Sequence, residues 1–260
     1  MFLQKENVMS DKRFENNVGL IPDYVDKSEE RKKSWRKRKW WFKVLLSFMK
    51  GRYKPSKYVY LGEEIGEGGL IICNHEGTES PMSFELYSNK PLRFWGTAEM
   101  NSGLIKMYKY QTRVYYHEKK HWNLHLARLF CLLASPLTYL YYKGLSLVSV
   151  YKDTRLTKTL RESMQVMKNG ESIVVFPEDS QNGYLPELEG FFGGFVTYAE
   201  FCLKKGMNVP IFVSYFKKDE RVMIVDKPVY FADLKEKYAS REEIATALCN
   251  RCNELGKMNV

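Results

Sequence analysis

Two apolar runs about a hundred residues apart constrain this chain more than anything else in it. The first is Ile71-Ile72-Cys73, continuing into Asn74-His75-Glu76-Gly77-Thr78-Glu79-Ser80-Pro81. The second is Val174-Val175-Phe176, continuing into Pro177-Glu178-Asp179-Ser180. Each is a short, largely β-branched run that breaks into a polar, turn-forming cluster. A strand buried on both faces looks like this when its C-terminal end delivers side chains to a crevice.

The rest of the chain alternates in the same way. Strands are expected over 57–61, 70–73, 92–97, 145–151, 172–176, 209–216 and 222–225, with a short extended piece at 228–229. Leu156, Leu160, Met164 and Met167 share one helical face, and Gly170 stops that helix. Helices are also expected over 82–88, over 194–205, at the C-terminus, and over 120–142 with a break near Pro136. This alternation predicts an α/β fold: a mixed, largely parallel sheet flanked by helices, preceded by a basic amphipathic helix. With 260 residues, of which 44% are apolar, one domain with an N-terminal appendage is expected.

The chain divides by composition into three parts. Residues 1–30 are polar and aperiodic and read as a tail or extended arm. Residues 31–54 open with eight basic residues and no acid between Arg31 and Lys43, then turn apolar. Trp35, Lys37, Arg38, Lys39, Trp40 and Trp41 there describe a helix lying in a membrane interface, with rings at headgroup depth and cations on anionic lipid. The alternative is a solvated basic helix whose aromatics dock on the body. Residues 55–260 form the α/β domain. The 41 basic against 31 acidic residues, a net charge of +10, suit a polyanionic partner. No base-reading motif accompanies the basic helix, so an anionic membrane surface is expected and nucleic acid is not.

No uncharged run reaches the 18 to 20 or so residues of a spanning helix. The apolar segment 129–142 reads as buried or interfacial. The N-terminus lacks a signal-peptide core. The five cysteines, an odd number, are expected as reduced thiols in the cytosol, Cys249-x-x-Cys252 as two half-buried helix residues.

The histidine of the first run has a carboxylate four residues on, and the second run supplies two carboxylates and a hydroxyl. A histidine held by an acid is equipped to take a proton from an alcohol near neutral pH. Lys152 and Arg155 follow the strand before the second run. Were those two strands neighbours, their ends would converge in one crevice holding a base, carboxylates and two cations.

At these residues the chain resembles the lysophospholipid acyltransferase family, the glycerol-3-phosphate and 1-acylglycerol-3-phosphate acyltransferases. That family carries Asn-His-x4-Asp-Pro after a strand, a basic residue after the next, Phe-Pro-Glu-Gly-Thr-Arg after a third, and Val-Pro-[Ile/Val] further on. Asn74-His75 with Pro81, Lys152, Phe176-Pro177-Glu178 and Val209-Pro210-Ile211 match in order over residues 55–225. The resemblance implies that His75 is the general base and that the acceptor hydroxyl attacks an acyl thioester directly. Acyl-CoA or acyl-carrier protein would be the co-substrate, with no resident cofactor or metal. Lys152 and Arg155 would hold a phosphate, and Pro177, Glu178, Asp179 and Ser180 would line the pocket for a lysolipid-type acceptor. Backbone groups near Gly77 would meet the oxyanion. It further implies a peripheral enzyme on the cytoplasmic membrane face.

The chain also departs from the pattern. Ser80 stands where the family has aspartate, and Glu79 sits one residue earlier, a possible substitute if the turn is helical. Asp179 and Gln181 replace the glycine and arginine of the third block. Two readings therefore stand: a divergent acyltransferase, or a non-catalytic lipid-binding relative.

A separate pattern, His117-Glu118-Lys119-Lys120-His121, fits a zinc-protease helix. The two lysines repel a dication, and no acid follows before Asp153 to serve as the downstream ligand. A wet basic-aromatic helix face is the expectation.

Overall fold

The computed structural model describes residues 39–151, 153–179 and 183–260. They belong to the second of two compact units, Trp35–Val260. The expected N-terminal arm and the start of the basic segment, with Trp35, Lys37 and Arg38, lie outside the described residues.

The first helix, α1, is Trp40–Arg52. It has no acid, and Lys50 and Arg52 sit in its last turn, where the helix dipole favours cations. Strand β1 is Lys57–Tyr60 and β2 is Leu70–Cys73. Helix α2, Glu79–Tyr87, leads to β3, Leu92–Thr97. Two short helices follow, α3 Ala98–Asn101 and α4 Leu104–Tyr110, then a π-helix, Gln111–Lys119. Helix α5, Leu124–Leu145, returns the chain to β4, Val148–Val150. Helix α6, Leu156–Lys168, joins β5, Ser172–Val175, and α7, Gly194–Lys204, joins β6, Pro210–Lys217. Strands β7, Val222–Val225, and β8, Val229–Tyr230, precede α8, Phe231–Lys237, and α9, Arg241–Lys257.

The strands make one sheet in the order β1-β7-β6-β2-β5-β3-β4, with β8 paired to β6. Strands β6, β2, β5, β3 and β4 run parallel, while β7 and β8 pair antiparallel with β6. Every residue of β2 and β5 is buried, as expected of parallel strands with helices on both faces. The two-residue period sorts their side chains. Leu70, Ile72, Ile173 and Val175 face α6, α7 and α9, and Ile71, Cys73 and Val174 face α1, α2 and α5.

This layering creates a switch point. After β2 the chain crosses through α2 to β3 over one face of the sheet. After β5 it crosses through α7 to β6 over the other, in the opposite direction. Neighbouring parallel strands whose connections part in this way leave a crevice beyond their C-terminal ends.

Two expectations change. Strands β4 and β5 are not neighbours, because β3 pairs with both. The end of β4 therefore lies three strand spacings from β2, about 14 Å. Helix α5 also runs unbroken through Pro136. Pro136 lies on its exposed side. On the other side Ala127, Cys131 and Ser135 are buried, and the Ser135 hydroxyl donates to Gln111 Oε1 at 2.7 Å. Tertiary packing holds the helix where local propensity would break it.

Candidate functional site

The crevice between β2 and β5 receives Asn74 and His75 from one side and Phe176, Pro177 and Glu178 from the other. Asn74 is a clamp. Its buried amide Nδ2 donates to Phe216 O at 3.1 Å, and its Oδ1 accepts from Phe216 N at 2.7 Å. This locks the end of β2 to the end of β6, so the next residue leaves the sheet in a fixed direction. Glu76 and Gly77 then adopt left-handed backbone, with φ of 41° and 64°. Glycine takes that conformation without strain, and a β-carbon at Gly77 would meet open space.

His75 is half-buried, and its Nδ1 is shielded from solvent. Its ring lies between Phe176, with centroids 4.9 Å apart and tilted, and Tyr184, stacked at 5.1 Å. Its backbone N–H donates to Glu178 Oε2 at 2.9 Å. Glu178 is fixed in turn by a bridge to Phe191, flanked by Phe192 N–H to Pro177 O at 2.8 Å and Asp179 N–H to Gly190 O at 3.0 Å. Gly190 thus belongs to the turn behind Glu178, while Gly193 and Gly194 begin α7.

The wall beside this site is phenolic. The side chain of Tyr184 is raised above the ordinary phenol pKa, first by burial and then by Tyr115, Glu178, Tyr110 and Tyr142. Burial likewise pushes Tyr142 to about 12. These phenols stay protonated and neutral at physiological pH. Tyr53, just past α1, donates its hydroxyl to Thr78 Oγ1 at 3.0 Å, which ties the N-terminal helix to the turn carrying His75. Burial also raises the Glu76 carboxyl, against the lowering effect of Lys218.

The structure places the expected site residues unevenly. His75, Gly77, Pro177, Glu178 and Asp179 come together, while Ser180 and Lys152 lie outside the described residues. Glu79 does not go to His75: its carboxylate forms an ion pair with the Arg221 guanidinium. The reason is local. Helix α2 begins only at Glu79, and His75 precedes the left-handed turn, so the two are not one helical turn apart. Ser80 is fully buried, and its hydroxyl has no hydrogen-bond partner among the described residues.

Arg155 is also placed elsewhere. It is exposed beyond β4, pairs with Asp153 Oδ2 at 2.6 Å, and stacks on the Tyr151 ring at 4.4 Å. Hydrogen bonds from Arg155 hold the Asp153 carboxyl down at about 2. At the N-terminal helix, Lys39 and Trp40 are exposed, while Trp41 is half-buried edge-on to Phe42 at 5.7 Å.

Sequence reasoning missed Tyr184 and Arg221. Tyr184 had one signal, an aromatic in an otherwise polar stretch after the second run. Arg221 had none, since it reaches the site across the β6–β7 turn.

The zinc-protease pattern does not form. His117 sits in the π-helix with Nδ1 at 2.9 Å from Trp122 O, and His121 lies past its end with φ 55°. The two are therefore not stacked on consecutive α-helical turns. Among the described residues no group of three or more His, Cys, Asp or Glu is placed to hold a metal. Cys249 and Cys252 are buried thiols on α9, and Cys252 Sγ lies 3.2 Å from Ser214 O. A cavity of about 480 Å³, lined by Lys43, Lys50, Phe84 and Leu92 among others, lies at the start of β3. That is the opposite end of the sheet from His75, so chemistry and not volume locates the site.

No family model and no curated protein matches the chain. Among solved structures, the chain is similar to the 1-acyl-sn-glycerophosphate acyltransferase PlsC from Thermotoga maritima. The two share 13% identity, with a TM-score of 0.45, over 97% of this chain and 90% of that one. A likeness at that level carries no argument about activity, which rests on the geometry of the crevice.

Proposed function

We propose that this chain is an acyltransferase. It would move a fatty acyl group from a thioester, acyl-CoA or acyl-carrier protein, to the hydroxyl of a lysophospholipid or glycerol-phosphate-like acceptor. It would work at the cytoplasmic membrane surface. One observation carries the reading: adjacent parallel strands bring His75 and Glu178 together at the switch point of the sheet, with the His75 backbone bonded to the Glu178 carboxylate.

In this reading the imidazole of His75 takes the acceptor's hydroxyl proton as that oxygen attacks the thioester carbonyl. The tetrahedral oxyanion forms near the backbone of the Gly77 turn. Its collapse breaks the C–S bond, and the thiolate leaves with the proton held by His75. No acyl-enzyme forms, and the histidine ends as it began. Glu178 fixes where the imidazole sits, and Phe176 and Tyr184 fix its plane. The phenolic wall offers apolar rings with neutral donors, which suits an acyl chain beside a polar head. Arg155, bound to Asp153 at a distant strand end, is not part of this scheme.

The second reading is a non-catalytic lipid-binding relative. It is favoured by the diversion of Glu79 to Arg221 and by the Tyr184 ring lying over the imidazole. Labelled acyl-CoA offered with a panel of lysolipids in vesicles separates the two. Turnover that disappears in His75→Ala supports the enzyme. Vesicle binding without turnover for any acceptor or carrier supports the relative.

A further inference from the structure

Helix α5 presents an apolar face that no described residue covers. Leu126, Leu129, Leu133, Leu137 and Leu140 are all exposed, Leu133 by 78%. Spaced at 100° per residue, they fall on one stripe about 80° wide. Water-facing helices of soluble proteins do not carry such a stripe, and a contiguous exposed apolar patch marks an interaction surface. Helices α1 and α4 share the character. Trp40 and Phe48 of α1 and Ile105 of α4 are largely exposed, and α1 meets α5 where the Phe42 ring lies against Gly144.

Charge identifies the partner. Helices α1, α4 and α5 contain no Asp or Glu. They carry exposed Lys43, Lys50, Lys106, Lys109, Arg128 and Lys143. Leucine flanked only by cations is the composition of a helix seated at the headgroup boundary of an anionic bilayer. A protein partner of ordinary composition would call for both signs of charge at the rim.

We propose that α5 lies in the plane of an anionic lipid surface, with the five leucines in the acyl region and the cations on the headgroups. Its 22 residues would also suffice to cross a bilayer. The fold forbids that. Ala127, Cys131 and Ser135 pack against the body along the opposite side of α5, and β4 enters the sheet almost immediately after Leu145. A crossing would strip both from the protein. The five leucines lie outside the basic segment 31–54, whose α1 adds cations beside them, and the proposal needs neither acyl transfer nor a role for His75.

The test is sedimentation of the full chain with phosphatidylcholine vesicles, with and without phosphatidylglycerol. Wild type should partition onto the anionic vesicles. The double variant Leu129→Glu/Leu133→Glu should bind at least 100-fold more weakly with an unchanged melting temperature, since both positions are exposed. In a second arm, Leu133→Cys carries an environment-sensitive dye, all native cysteines being buried. Its emission should shift to the blue on anionic vesicles. Undiminished binding by the double variant, or no shift from the dye, would overturn the proposal. So would a lipid-free dimer that the double variant dissolves, with no vesicle binding, because a second copy would then cover the face. Vesicle binding by α5 without transferase activity leaves this proposal standing and refutes only the enzymatic one.

Discussion

The carboxylate of Glu178 accepts the backbone N–H of His75 across 103 positions of sequence. The acid therefore positions the base through the main chain. Replacing Glu178 by Ala should lower kcat at least tenfold, since the turn carrying His75 loses its anchor. Glu178→Gln keeps a carbonyl acceptor at the same place and should retain most of the turnover. A role in proton transfer would instead make the Gln variant as poor as the Ala variant, which paired kcat measurements would show.

Asn74 makes a different prediction, for stability. Its amide satisfies both backbone groups of Phe216 in a fully buried place. Asn74→Ala strands a donor and an acceptor and should cost about 2–4 kcal/mol. Urea denaturation measures it; a loss below half a kcal/mol would mean that the two strand ends hold together without the clamp.

The Glu79–Arg221 pair separates a structural carboxylate from a catalytic one. Both side chains are largely shielded. Glu79→Gln should destabilise the fold by about 1–2 kcal/mol. The pH profile of turnover should not move. A profile displaced in Glu79→Gln would return Glu79 to the imidazole.

Asp153 titrates in a predictable window. Its carboxyl is depressed to about 2 by the Arg155 hydrogen bonds, from an ordinary 3.8. A depressed acid contributes stability that is present above the unfolded value and lost as pH falls through the folded one. The Asp153–Arg155 turn that leads into α6 should therefore weaken between about pH 4 and pH 2. Carboxyl-carbon NMR should show Asp153 titrating near 2, and Arg155→Ala should return it toward the ordinary range. An unchanged titration in that variant would assign the shift to the helix terminus instead.

Gly144 is where α1 rests on α5. A β-carbon there would stand 2.0 Å from the Phe42 ring, which is itself completely buried. Gly144→Ala should lower the melting temperature despite the better helix former, because overpacking costs about 1–3 kcal/mol against a propensity gain of about 1. A rise in melting temperature would show that α1 can shift without loss.

The strands were legible because each apolar run is short, β-branched and punctuated by Gly, Pro or Asn, and Leu70–Cys73 is found as expected. The meeting of His75 with Glu178 was legible because both follow such runs. Strand order was not. Nothing local tells β3 to lie between β5 and β4, and that one insertion removes Arg155 from the crevice. The partner of Glu79 was illegible for a related reason, since Arg221 arrives from a turn 142 residues away. The continuous α5 escaped because Pro136 is a strong local signal and the packing that overrules it is long-range.

Strand β2 lies between β5 and β6, and both partners come later in the chain. During synthesis it must wait for them, with Asn74 142 residues ahead of Phe216. At ribosomal speeds of about 5–20 residues per second the delay is roughly 7–30 s. For that interval Leu-Ile-Ile-Cys keeps at least one unpaired edge, and two until Ser172–Val175 emerges. Successful production of this protein therefore hinges on shielding one four-residue segment until its neighbours emerge, and expression slowed or chaperoned over that span should raise the soluble yield.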